Sequence, residues 1–187
     1  MARLPRILMV LLASGANNTL SCQHANRTAF EPSSASEEKA LHISLPMRGL
    51  SLSDIHDTFH QVRAGTRRHE ATDIMAPRGT PVLAVNDGKI VKLFLSKPGG
   101  NTIYQFDPSE QYCYYYAHLD HYAVRIAEGR VIHRGDVIGF VGSTGNADPS
   151  APHLHFEIHR LDSEKLWYHG ASVNPYPYLV KALESVR

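Results

Sequence analysis

Four histidines and one aspartate carry the chemistry of this 187-residue chain. His69 and Asp73 stand in the run His69-Glu70-Ala71-Thr72-Asp73, His118 in Tyr116-Ala117-His118-Leu119, and His153 and His155 in Pro152-His153-Leu154-His155-Phe156. Two imidazoles and one carboxylate can hold a zinc ion and leave its fourth position open to water, which suits a hydrolase and not a closed structural site. Two histidines then remain for proton transfer. The spacings limit which side chains can converge. In a strand, successive side chains point to opposite faces, so His153 and His155 share a face while Leu154 turns into the other layer. One of the pair can bind metal while the other addresses the bound water. His69 and Asp73 would align on a helix, but Pro77, Gly79 and Pro81 follow closely, which favours a loop leading into a strand. In a chain with twelve histidines a lone His-x-His is more often a pair of packed or surface rings, and the combination is far more specific than its parts.

The elements that must position these residues are strands. Pro81 to Val85, Lys89 to Leu95, Asn101 to Phe106, Tyr112 to His118, Val137 to Val141 and Leu154 to His159 are rich in β-branched and aromatic residues. Asn86-Asp87-Gly88, Pro98-Gly99-Gly100 and Gly142-Ser143-Thr144-Gly145 punctuate them as turns. The fold class expected is therefore mainly β, an antiparallel β-sheet domain with a groove for the metal site. Tyr176-Pro177-Tyr178 running into Leu179-Val180-Lys181-Ala182-Leu183-Glu184 predicts a short C-terminal helix. The cluster Tyr112-Cys113-Tyr114-Tyr115-Tyr116 could form a substrate-facing aromatic wall, and the reading preferred here is alternation between core and surface on one strand.

Across these segments the chain resembles the lysostaphin and LytM-type zinc metallopeptidases, endopeptidases that cut peptide bridges in peptidoglycan. The resemblance runs from about Asp54 to Pro175. It rests on Arg68-His69-Glu70-Ala71-Thr72-Asp73-Ile74, Gly79-Thr80-Pro81-Val82, Ala84-Val85-Asn86-Asp87-Gly88, Tyr116-Ala117-His118-Leu119, Gly135-Asp136-Val137-Ile138-Gly139, Gly142-Ser143-Thr144-Gly145 and His153-Leu154-His155-Phe156-Glu157. It implies one zinc ion held by His69, Asp73 and His155, and a catalytic, non-ligating pair, His118 and His153. Ala71 departs from the family, which usually has glycine there; a positive φ at that position would be costly for alanine. A non-catalytic activator of another wall hydrolase would share the fold but lose ligands, and all are present here. A lipoyl or biotinyl carrier domain shares the rhythm of residues 84–90 and 135–139, but requires a lysine presented at a tight hairpin tip.

Other polar residues divide between structure and substrate. Arg63 and Arg68 precede His69, and a guanidinium there could hold a peptide carboxylate through paired hydrogen bonds, or form a surface ion pair. His56 and His60 precede the metal motif, and His121, His133, His159 and His169 fall in or beside turns and strand ends, where structural or solvated roles are expected.

Composition fits one modest domain with processing segments. The chain is 43% hydrophobic and 20% charged, enough for a single core. Nineteen basic against eighteen acidic residues give a formal charge of +1, with no basic block of the kind that binds nucleic acid. Arg3 and Arg6 followed by the apolar run Ile7 to Ala13 predict an export signal over 1–21. Cys22 after Thr19-Leu20-Ser21 partly matches a lipoprotein cleavage site, which would leave a lipidated N-terminus at the membrane. Polar composition from Gln23 to about Ala40 predicts a flexible tether, assigned to 22–45, with the catalytic domain over 46–187. A Cys22–Cys113 disulfide and a small buried Cys113 are both open readings. The expectation is an exported protein of the periplasm or cell envelope acting on peptidoglycan peptides.

Overall fold

The computed structural model describes residues 41–63 and 68–186. Nine strands within them form one antiparallel sheet: β1 (Thr72–Met75), β2 (Pro81–Leu83), β3 (Gly88–Ser96), β4 (Gly100–Phe106), β5 (Tyr112–Tyr122), β6 (Val131–Ile132), β7 (Val137–Val141), β8 (His153–Arg160) and β9 (Ala171–Val173). The spatial order is β1-β8-β5-β4-β3-β6, with β7 joined to β5, β2 to β7 and β9 to β8. A single helix, α1 (Tyr176–Glu184), follows. Leu179, Ala182 and Leu183 form its buried stripe, and Pro177 is tolerated because the first turn needs no N–H there.

Period-2 alternation sorts the sheet into a core face and a site face. On β8, Leu154, Phe156 and Ile158 are fully buried, whereas His153, His155, Glu157 and His159 are half-buried on the other side. Tyr114 and Tyr116 of β5 join Leu154 and Phe156 in the core, with Ile74 from β1 and Leu179 from α1. Each fully buried Leu, Ile or Phe here contributes about 1.5–3 kcal/mol.

β5 carries the irregularity on which the site depends. Asn101 is paired with Leu119 but Ile103 with Tyr116, so β5 holds one extra residue, and His118 adopts a φ of 58°. Strict alternation would send His118 into the core after Tyr114 and Tyr116. The bulge instead places Leu119 there, fully buried, and turns His118 to the site face. That left-handed backbone costs a non-glycine residue on the order of 1–2 kcal/mol. β5 also changes neighbours at this point, pairing through Tyr112–Ala117 with β8 and through Leu119–Tyr122 with β7. Gly142 lies against the junction, where a Cβ would come 2.4 Å from the Asp120 nitrogen, so a side chain there would push the loop after β7 away.

The sheet extends beyond the expected strands. β1 is a short strand within the region expected to lead from loop into strand, and β6 and β9 are brief additions without a strong periodic signal. Ala71 is fully buried and is not among the residues with positive φ, so alanine is accommodated. Within the segment assigned to the tether, the described residues from 41 on are packed: Leu41 and Ile43 are buried in the core, and Ser44 N donates to Val85 O at 2.8 Å. Leu41, Ile43 and Leu45 supply a period-2 apolar face that the polar stretch before them lacks. The signal segment, Cys22 and the tether up to residue 40 lie outside the described residues.

Candidate metal centre

Asp73 on β1 and His155 on β8 are direct register partners, so their side chains leave the same face side by side. His69 enters from the segment just before β1, with its backbone N–H donating to Gln61 O at 2.8 Å. Three donor atoms converge: His69 Nε2 and His155 Nδ1 lie 3.2 and 2.9 Å from Asp73 Oδ1, and 3.2 Å from each other. Tetrahedral zinc with bonds of roughly 2.0–2.1 Å separates its donors by about 3.3 Å, so small outward shifts would admit the ion. The donor set, two imidazoles and a carboxylate with the site open to a groove, fits catalytic zinc.

Each donor is held from behind. His69 Nδ1 lies 2.9 Å from Thr58 O, an acceptor only, so Nδ1 carries the proton and Nε2 presents its lone pair. His155 Nε2 donates to Glu157 Oε1 at 2.8 Å, which leaves Nδ1 for the metal, and the second Glu157 oxygen accepts from His159 Nε2 at 2.6 Å. The Arg63 guanidinium bonds Asp73 Oδ2 at 2.5 Å, leaving Oδ1 to face the histidines. Burial by itself would raise the Asp73 carboxyl, but hydrogen bonds with His155 and His69 outweigh it and hold the group well below the usual carboxylate range. Burial also opposes the charged form of His155, yet its bonds to Asp73 and Glu157 raise the ring to about 9. Glu157 is brought down to about 2, again against burial, by His155 and His159.

His118 and His153 stand beside the donors without joining them. Their ring centroids are 4.9 Å apart, and His118 is 5.5 Å from His155. His118 Nδ1 donates to Thr144 O at 2.8 Å and His153 Nδ1 to Ala151 O at 2.9 Å, so both rings keep Nε2 as the free base. His153 Nε2 lies 3.9 Å from Asp73 Oδ1. Burial, reinforced by the neighbouring His155 and His153 and opposed by the Thr144 carbonyl, takes His118 down to about 4. The Gly142-Ser143-Thr144-Gly145 turn thus orients a ring: Thr144 offers its carbonyl to His118 while its hydroxyl donates to Leu119 O at 2.7 Å.

The structure brings together His69, Asp73, His155, His118 and His153, and places Arg63 and Arg68 on the wall of the same groove with Tyr115 and Asn146. Arg63 is bonded to Asp73. His121 pairs with Asp120 and His169 with Asp162, both at exposed positions away from the donors. His159 belongs to the site face through Glu157. Sequence reasoning gave Glu157 no role; the signal that identifies it is its position two residues beyond His155 on a strand. Cys113 is buried among Phe106 and Leu161, and burial pushes its thiol up; its proposed partner Cys22 is outside the described residues.

Comparison with known proteins gives consistent findings. The sequence profile described as Peptidase family M23 matches residues 67–175. An L-Ala--D-Glu endopeptidase of Bacillus subtilis is 36% identical over 120 residues, 62% of this chain and 35% of that protein. Peptidoglycan DD-endopeptidase ShyC of Vibrio cholerae is 32% identical over 124 residues, 66% of this chain and 28% of that protein. The chain thus spans about a third of the length of these relatives. The catalytic domain of the antimicrobial peptidase lysostaphin from Staphylococcus simulans aligns with a TM-score of 0.53 at 32% identity, covering 64% of this chain and 84% of that one.

Proposed function

The chain belongs to peptidase family M23, and from that premise we propose that it is a zinc-dependent endopeptidase hydrolysing peptide cross-links of bacterial peptidoglycan. The observation that carries the reading is the convergence of His69 Nε2, Asp73 Oδ1 and His155 Nδ1 within 2.9–3.2 Å, beside two further imidazoles with free Nε2 atoms. His69, Asp73 and His155 would hold a zinc ion there, and the ion would supply a Lewis acid for the scissile carbonyl and lower the pKa of a water toward neutrality. His118 and His153 take up the proton released from the attacking water, hydrogen-bond the developing oxyanion and return a proton to the leaving amine. Thr144 O and Ala151 O fix the tautomer that leaves Nε2 free for these steps. Glu157 keeps the His155 Nε2 proton occupied, and Arg68 on the groove wall binds a substrate carboxylate.

The substrate assignment is supported by the relatives, one of which is named for peptidoglycan and one for an L-Ala--D-Glu bond. Purified peptidoglycan incubated with the zinc-loaded protein should release fragments whose new termini mass spectrometry identifies. Intact peptidoglycan after such treatment, with stimulation of a second wall hydrolase, would replace the enzyme reading with that of an activator.

For the cellular location we propose export to the envelope, with cleavage before Cys22 and lipid attachment there; the basic start, the apolar run Ile7 to Ala13 and Cys22 support this reading. Among the described residues no helix is long and apolar enough to cross a membrane. Cys22→Ser should move the protein from the membrane to the soluble envelope fraction. A soluble wild type with a mature N-terminus other than Cys22 would refute the anchor and leave the peptidase reading standing.

A further inference from the structure

An aromatic row leads out of the metal groove along the site face of the sheet. Tyr115, which lines the groove, stands edge-on to His155 with ring centroids 6.1 Å apart. Tyr104 of β4 follows at 4.6 Å, Trp167 at 4.7 Å from Tyr104, and Tyr168 at 5.0 Å from Trp167. Phe94 of β3 flanks Trp167 at 5.6 Å. Within this row Tyr104 and Trp167 pack against the buried cluster of Phe106, Cys113 and Leu161, which accounts for their placement. It does not account for the outer end, where Phe94 is 41% and Tyr168 63% exposed. Beside Tyr168, on the same loop, the exposed His169 and Asp162 are joined at 2.7 Å.

We propose that Trp167, Tyr168 and Phe94 form a carbohydrate subsite that stacks N-acetylhexosamine rings of the glycan strand while the attached peptide lies in the groove. The proposal rests on the peptidoglycan reading and adds a second part of the same polymer to it. Exposed aromatic rings bordered by polar groups are costly as plain surface and suit a ligand with one apolar face and a polar rim. A pyranose has that character: its axial C–H groups face the ring and its hydroxyls reach outward to groups such as Asp162 and His169. Continuity with the groove favours a branched polymer over an unrelated partner. The row leaves the metal ligand in four ring-to-ring steps of 4.6–6.1 Å. An extended stem peptide of four to five residues covers a comparable reach at roughly 3.3–3.6 Å per residue.

Trp167 is the only tryptophan of the chain, so its fluorescence reports on this place alone. Titration of the full chain with a soluble N-acetylglucosamine tetramer should give a saturable change, weakened roughly three- to tenfold in Tyr168→Ala. Phe94→Ser, on a different element, should weaken it in the same sense, and unchanged thermal midpoints exclude misfolding as the cause. On intact peptidoglycan both variants should raise KM with kcat retained, whereas cleavage of cross-linked peptides freed from glycan should be unaltered. Absence of a saturable fluorescence response, or equal losses on glycan-bearing and glycan-free substrates, would overturn the proposal. Failure of the wild type to cleave either substrate would refute the peptidase reading, and the sugar titration would still decide the subsite.

Discussion

Asp73 and His155 are partners in the β1–β8 register, and the bond between Asp73 Oδ1 and His155 Nδ1 is 2.9 Å long. Two residues 82 positions apart are thereby set on one face by backbone pairing alone, with Arg63 and Glu157 holding their outward atoms. The candidate metal site is therefore a property of sheet register, and its perturbation should be read first in metal binding.

Asp73→Ala removes the only anionic donor of the cluster. Loss of outer partners typically lowers metal affinity by about 10–100-fold, so loss of this ligand should exceed about 100-fold. Metal analysis after dialysis should find one zinc per wild-type chain and essentially none in the variant. An unchanged zinc content would exclude Asp73 as a ligand.

His118→Ala and His153→Ala should retain zinc while kcat falls by roughly 10²–10⁴, because proton transfer and oxyanion hydrogen bonding are lost without a donor to the metal. His69→Ala and His155→Ala should lose zinc and activity together. Zinc release by His153→Ala with retention by His155→Ala would reverse the assignment within the pair.

Arg63→Ala frees Asp73 Oδ2 and should lower zinc affinity by roughly tenfold, with Arg63→Lys restoring part of it. Competition against a chromogenic chelator measures this without reference to turnover. An Arg63→Ala protein with wild-type zinc affinity and a raised KM would make Arg63 a substrate-binding residue instead.

Without metal, the His155 cluster makes stability depend on pH in a definite direction. His155 rises from 6.5 to about 9, so its contribution is complete below 6.5 and disappears as pH climbs through about 9. Glu157 falls from 4.5 to about 2, so its contribution is complete above 4.5 and disappears as pH drops through about 2. Chelator-treated protein should therefore lose denaturation midpoint between about pH 6.5 and 9. Zinc binding should strengthen over the same interval, because His155 Nδ1 must shed its proton to coordinate. A metal-free midpoint that increases over that interval would contradict the protonated His155 bridge.

The residue types and local spacing in the sequence determined much of this protein. Alternation along residues 153–159 is visible in the letters, because a strand has period 2, and it places His153, His155 and Glu157 on one face wherever the strand is put. The β-branched and aromatic runs marked six of the strands for the same local reason, while β6 and β9, two and three residues long, carry too few residues to show a period. The resemblance to lysostaphin and LytM-type peptidases was legible from motifs short enough to read without a fold.

Tertiary structure decided which of these residues meet. Asp73 and His155 become neighbours only through the pairing of β1 with β8, a long-range register that no local pattern encodes. His118 is the clearer case, since period 2 would have buried it with Tyr114 and Tyr116. One extra residue in β5, a left-handed backbone at His118 and the close approach permitted by Gly142 turn it toward the His69, Asp73 and His155 cluster instead. Arg63 shows the same division: its charge is in the sequence, but its place on Asp73 Oδ2 is a contact that only the tertiary structure shows. Local propensity sets which way a side chain faces within its strand, whereas packing, register and bulges set what stands opposite it.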